Sequence, residues 1–240
     1  MEYGIQLYSV RDVLPEDMEG TLQKISAMGY RFVEFAGFFG KSARDVKAML
    51  DRYDLRISGT HTGWQEIVEN WEETVAYHKA IGNKHIIIPG AELGTKEQIE
   101  AFVETVNDIQ PKLQKEGIRL GYHNHDFEFK ANTDGIVPYD EIVGRTNIYL
   151  EIDTFWAYAG GKDPVEMMEA LKERLIFIHI KDGYENGDGV PLGLGTAPVK
   201  AVYQKAEGMG IPMVVESETL NPDGLTEAKT CIDFLISLEK

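Results

Sequence analysis

Residues 120–129, LGYHNHDFEF, carry two histidines, an asparagine and two carboxylates directly after an apolar run. Such a set can bind a metal, move a proton or simply close a strand with polar groups. Side chains alternate along a strand, so Gly121, His123 and His125 share one face while Leu120 and Tyr122 take the other. Imidazoles side by side are costly to bury without partners. Later strand-like runs supply candidates: IYLEIDT carries Asp153 near its end, LIFIHIKD carries His179 and Lys181, and PMVVESE carries Glu216 and Glu218. Earlier runs add Gln6, Tyr8, Glu34 and His61.

Asp153, His179 and Glu216, completed by a fourth ligand from residues 120–129, make a mixed nitrogen and oxygen cage. Two carboxylates with imidazole suit one divalent ion, Mn²⁺, Zn²⁺, Co²⁺ or Fe²⁺, and suit Mg²⁺ less well. His123 is the expected fourth ligand because it closes the strand on the presumed inner face; His125 and Glu128 are its rivals. Alone, Asp153 could cap a turn before Thr154, and His179 could be a satisfied core histidine. Glu216 resists that reading, since carboxylates seldom face a core unpaired.

A divalent ion chelated by a ketone oxygen and a neighbouring hydroxyl acidifies the carbon between them. His125 or Glu216 is placed to take the proton as an enediolate forms, and Lys181 to hold an oxyanion or hydroxyl. Gln6, Tyr8, Glu34, His61, Glu128 and Trp156 are the expected substrate contacts. Trp64 and Trp156 follow strand ends and offer an apolar wall to a sugar ring. His78, on a helix, and His85, opening the fourth strand, fall outside this set.

These residues need a scaffold that gathers many strand ends. Eight strand-like runs alternate with eight amphipathic stretches whose apolar residues recur at spacings of three and four. Ser42 with Asp45 and Thr95 with Gln98 mark helix starts, and Gly29, Gly82, Gly117 and Gly210 mark stops. With no linker and no low-complexity segment, the 240 residues are expected to form a single (β/α)8 TIM barrel over 1–240. An open doubly wound sheet would also alternate strands and helices, but eight even units favour closure. The site then belongs at the C-terminal strand ends.

A net charge of −16 argues against a nucleic-acid surface, which needs cations to displace counterions. No apolar run approaches the ~20 residues of a membrane span. The opening MEYGIQLYSVRD enters a strand pattern at once, so no export leader is expected, and the single Cys231 suits a reducing cytoplasm. Phe38 and Phe39 are offered either to the substrate pocket or to an interface in a homo-oligomer. The run VPLGLGTAPVK places Gly193 and Gly195 before a helix start, where a loop binds an anion or closes over a site.

GIQLYSVRD, YHNHDFEF, EIDTFW, HIKD and VVESE together resemble the sugar phosphate isomerase/epimerase family of xylose-isomerase-like barrels, over nearly the whole chain. The resemblance implies a metal-dependent isomerase or epimerase acting on a ketose or oxo-sugar through an enediolate. In the family's epimerases, strands five to eight supply glutamate, aspartate, histidine and glutamate as ligands. The last three fall on Asp153, His179 and Glu216; the first is matched by His123, and Trp156 stands where those epimerases carry a further histidine. Histidine at that first position departs from a symmetrical two-glutamate mechanism. It brings the chain nearer to inosose dehydratases and 3-oxo-glycoside lyases, so β-elimination is the alternative. A DNA-repair endonuclease of the same superfamily would need a basic face and more histidine than the six present.

Overall fold

The computed structural model describes residues 1–239. Its strands are β1 (Tyr3–Gln6), β2 (Phe32–Phe35), β3 (Arg56–His61), β4 (His85–Ile88), β5 (Arg119–His123), β6 (Tyr149–Asp153) and β7 (Leu175–Ile180). A small antiparallel hairpin follows, β8 (Asp182–Gly183) with β9 (Gly189–Val190), and β10 (Met213–Val215) then pairs with both β7 and β1. The result is a closed, eight-stranded parallel barrel, the TIM fold that the alternation predicts.

Around it lie α1 (Met18–Met28), α2 (Ala43–Arg52), α3 (Trp64–Glu69), α4 (Trp71–Ile81) and α5 (Lys96–Lys115). The circuit continues with α6 (Pro138–Arg145), α7 (Thr154–Ala159), α8 (Pro164–Ala170), α9 (Val199–Met209) and α10 (Gly224–Leu238). Local chemistry sets the ends. Thr95 forms a complete capping box with Gln98, and Ser42 accepts from the Asp45 amide at 3.2 Å. Gly29 and Gly82 end α1 and α4 in left-handed geometry, φ 112° and 78°, which glycine adopts without a Cβ clash. Two short helices, α3 and α7, exceed the eight expected. Six residues are too few for a helical period to stand out, and Asp153 caps the start of α7.

The two strand faces divide the labour. Ile5, Val33, Phe35, Leu120, Tyr122, Leu150, Ile178 and Ile180 face the helices and join the main core. Inside the bore, Phe32, Ile87, Phe177 and Val214 form a separate apolar plug at the N-terminal end. A Cβ on Gly4 would meet the Phe32 ring at 2.1 Å, and one on Gly121 would meet Ile87 at 2.4 Å, so small residues there let large ones fill the bore. Above the plug the lining turns polar. Glu34, Glu151, Asp153, His123, His179 and Glu216 are all buried. The fold therefore spends its apolar interior at one end and concentrates chemistry at the other.

Outside the bore, His78 is buried on α4, and Asn83 Nδ2 lies 3.1 Å from its Nδ1 as donor. Burial pushes its pKa down to about 4. The unfolded chain then binds the extra proton below about pH 6.5, so this residue's contribution is present above that pH and lost toward pH 4. Urea titrations should show about 3 kcal/mol of stability lost between those values on its account, and a flatter profile in His78→Gln.

Candidate active site

The ends of β5, β6, β7 and β10 bring His123, Asp153, His179 and Glu216 together at the C-terminal mouth. Asp153 and His179 are register partners, so their side chains rise side by side. One ligand atom from each of the four lies within 4.8 Å of all the others. His123 Nε2 is 3.5 Å from Asp153 Oδ2 and 3.9 Å from Glu216 Oε2, while His179 Nδ1 is 3.3 Å from Glu216 Oε2. Both His123 nitrogens and Asp153 Oδ2 are buried without a hydrogen-bond partner. Asp153 Oδ1, by contrast, accepts from the Trp156 amide at 2.8 Å, so this carboxylate both caps α7 and aims its other oxygen at the cluster. Orphaned donors in a buried N2O2 set fit a divalent ion.

A second polar layer lies directly beneath. His179 Nε2 is 2.7 Å from Glu34 Oε2 and 3.0 Å from Glu151 Oε1. His61 Nε2 pairs with Glu151 Oε2 at 2.8 Å, and Gln6 Nε2 donates to Glu34 Oε2 at 2.9 Å. This layer fixes the His179 ring so that Nε2 points down and Nδ1 faces the upper cluster. Glu34, His61, Glu151 and His179 also converge within 4.8 Å, and Glu34 Oε1 and Glu151 Oε1 lack a partner, but hydrogen bonds already join these four to one another, which suits a support for the upper cluster. A Cβ on Gly59, beside Glu34 in the β2–β3 register, would crowd Glu34 Oε1 at 3.0 Å.

Electrostatics follow from burial and crowding. Burial opposes charge on His179, but Glu151 and Glu216 beside it hold its pKa well above the ordinary value. Burial, then His179 and His61, push His123 well below. Burial raises Asp153 to about 7, and burial with Glu151 raises Glu34 to about 7. Burial would raise Glu216 too, yet His179 and Lys181 hold it well below the usual range.

Tyr8, Ala36, Gly37, His61, Pro89, His123, His125, Glu216 and Glu218 line a cavity of about 460 Å³ over the cluster. His125 lies just past β5 and packs near Phe127 and Trp156, each with ring centroids 5.9 Å away. Its Nδ1 and the Trp156 Nε1 have no hydrogen-bond partner. Lys181 is buried, ion-paired to Glu218, 3.6 Å from Glu216 Oε2 and 4.5 Å over the Trp156 ring.

Three expected substrate contacts sit elsewhere. Glu128 is fully buried behind His125, accepting from Tyr122 Oη and the His125 amide, both at 2.8 Å; it anchors the loop and does not face the cavity. Gln6 and Glu34 belong to the lower layer, fully buried and bonded to each other beneath His179. Trp64 packs edge-on against Phe102, and Phe38 against Phe35 and Tyr77, so neither walls the cavity. His85 bonds Ser58 O at the opposite end, as its position implies.

Glu151 escaped the sequence reading. Its signal was available: it stands two residues before Asp153 and so shares its face. Glu227 escaped too. Its buried carboxylate accepts from Ser217 Oγ and from the Leu220 and Asn221 amides, tying down the loop that follows Glu216. Replacing Glu151 by Gln should weaken metal binding by about 10–100-fold with the fold intact, read by competition with a chromophoric chelator.

The profile of the xylose isomerase-like TIM barrel family matches residues 22–238. An inosose dehydratase from Geobacillus kaustophilus is 22% identical over 188 residues, covering 67% of this chain and 60% of that relative's length. Among solved structures, a sugar phosphate isomerase/epimerase from Parabacteroides distasonis superposes with a TM-score of 0.86 at 27% identity, covering 98% of this chain and 97% of that one. A second structure of that description from the same organism gives 0.84 at 24%, covering 97% and 92%. The family profile spans nearly the whole barrel and every strand end of the upper cluster, and the chain belongs to the xylose isomerase-like TIM barrel family.

Proposed function

We propose that this protein is a divalent-metal-dependent enzyme that removes the proton beside the ketone of an oxo-sugar or inosose and completes a β-elimination. The buried, partnerless donors of His123 and Asp153, converging with His179 and Glu216, carry this reading. These four residues would hold the ion, of the Mn, Zn, Co or Fe type. When bound, it supplies Lewis-acid polarisation of the ketone.

The chain's own groups account for the rest. The His125 imidazole, on the cavity wall, takes the proton from carbon through Nε2, because its Nδ1 is buried 3.9 Å from Glu128 Oε1. The electron pair left behind forms the new double bond as the C–O bond at the next carbon breaks. The protonated His125 returns its proton to the departing oxygen, which leaves as water or an alcohol, while Lys181, buried against Glu216 and Glu218, helps keep the Glu216 carboxylate charged. Trp156 packs beside His125 with the Lys181 ammonium 4.5 Å over its ring, so it holds both groups in place.

Elimination is favoured because β5 ends on His123, so the four clustered residues carry histidine where a symmetrical mechanism needs a second glutamate. The inosose dehydratase relative agrees with that reading. Isomerisation or epimerisation of a ketose is the second reading, supported by the Parabacteroides structures. Incubating metal-loaded protein in D₂O with an inosose, a 3-oxo-glycoside and a panel of ketoses separates the two. Elimination gives an unsaturated product with loss of water or aglycone. Deuterium in recovered or isomerised ketose, without elimination, favours the second reading, and no exchange with any of them counts against both.

A further inference from the structure

Asp182 opens the hairpin after β7 and is 2% exposed. Its Oδ1 accepts from the amides of Gly183 at 2.8 Å and Ala197 at 3.2 Å. Its Oδ2 accepts from those of Gly193 at 2.9 Å and Gly195 at 3.0 Å. Four convergent backbone N–H groups are an anion-binding concavity. They lie between β7 and the start of α9, where barrels of this architecture frequently place a substrate phosphate.

Here the anion is part of the chain. Gly193 has φ 87°, and a Cβ on Gly195 would come within 2.3 Å of Asp182 Oδ1, so both glycines serve the approach of backbone to this carboxylate. Nothing else in the mouth replaces the lost site. Among the described residues lining the cavity, none is lysine or arginine, and two are glutamates. Lys181 is engaged by Glu216 and Glu218, and Arg11 donates to the Tyr8 and Glu218 carbonyls.

We propose that Asp182 occupies from within the anion nest of this barrel, so that the cavity takes an uncharged polyhydroxylated ketone and excludes its phosphate ester. This rests on the mouth being the substrate cavity. The same arrangement holds the hairpin and the residues up to 197 in place beside Lys181, which makes Asp182 a positioning residue.

Hydrogen–deuterium exchange over residues 183–197 tests it on the metal-loaded wild type and on Asp182→Ala, with inorganic phosphate and formate as probes at constant ionic strength. In the wild type neither anion should change protection of this segment. In Asp182→Ala exchange there should rise by about tenfold or more and fall again as either anion is added, because the vacated amides accept it. Asp182→Ser, whose short side chain vacates most of the nest while keeping one local acceptor, is read in the same way should the alanine variant not fold. Phosphate protecting the wild-type segment, or a ketose phosphate protecting the cavity residues, overturns the proposal. So does a variant whose segment stays protected, or opens without recovery by either anion. Metal content of the same samples reports separately on the site assignment.

Discussion

Replacing His123 with alanine is expected to leave a folded barrel that no longer retains metal. The ring is buried, yet neither nitrogen has a hydrogen-bond partner. A buried unsatisfied polar group costs about 1–3 kcal/mol, which offsets the loss of packing when the ring is removed. The metal-free variant should therefore melt within a few degrees of the metal-free wild type. Added Mn²⁺ or Zn²⁺ should raise the melting temperature of the wild type alone, since an ion bound only by the folded state stabilises it by mass action. Affinity should fall by more than the roughly 10–100-fold expected for a supporting partner, and turnover with it. A variant that keeps its metal would transfer the ligand role to another residue near β5.

His125→Ala should behave in the opposite way. This imidazole stands over the cavity, supported by Phe127, Trp156 and the Glu128-anchored loop, and is not among the four clustered ligands. Metal content and melting temperature should match the wild type, while turnover falls by about 10²–10⁴-fold, the usual contribution of a positioned base. Steady-state kinetics on metal-saturated protein check this. Unchanged turnover would move the base to Glu216, whereas loss of metal would make His125 a ligand. Together the two variants separate holding the ion from moving the proton, which adjacent histidines on one segment leave entangled.

The residues that converge at the barrel mouth were legible because the strand period is short and strict. Once Asp153, His179 and Glu216 are placed at strand ends, alternation alone turns them to one side, and closure of the barrel does the rest. Depth was the part the sequence hid. Gln6 and Glu34 share that inner face but sit lower, and a linear pattern does not say which inward residue covers another. Glu151 shows the same difficulty from the other side, an inward carboxylate hidden by the more prominent Asp153 above it. Glu128 was misplaced because the chain turns after β5, and a turn resets the alternation that assigned it. Asp182 reads in sequence as one more acid after HIKD. Only the folded loop reveals four amides converging on it.

The proposed chemistry requires an ion at the mouth. Plasma mass spectrometry of purified protein, before and after chelation and again after re-addition, measures it directly. About one equivalent of Mn, Zn, Co or Fe per chain, removed by chelator and restored on return, is the expected result for a four-ligand site. No metal as purified and none taken up from any of these ions would contradict the central claim and leave a barrel that binds sugars without transforming them.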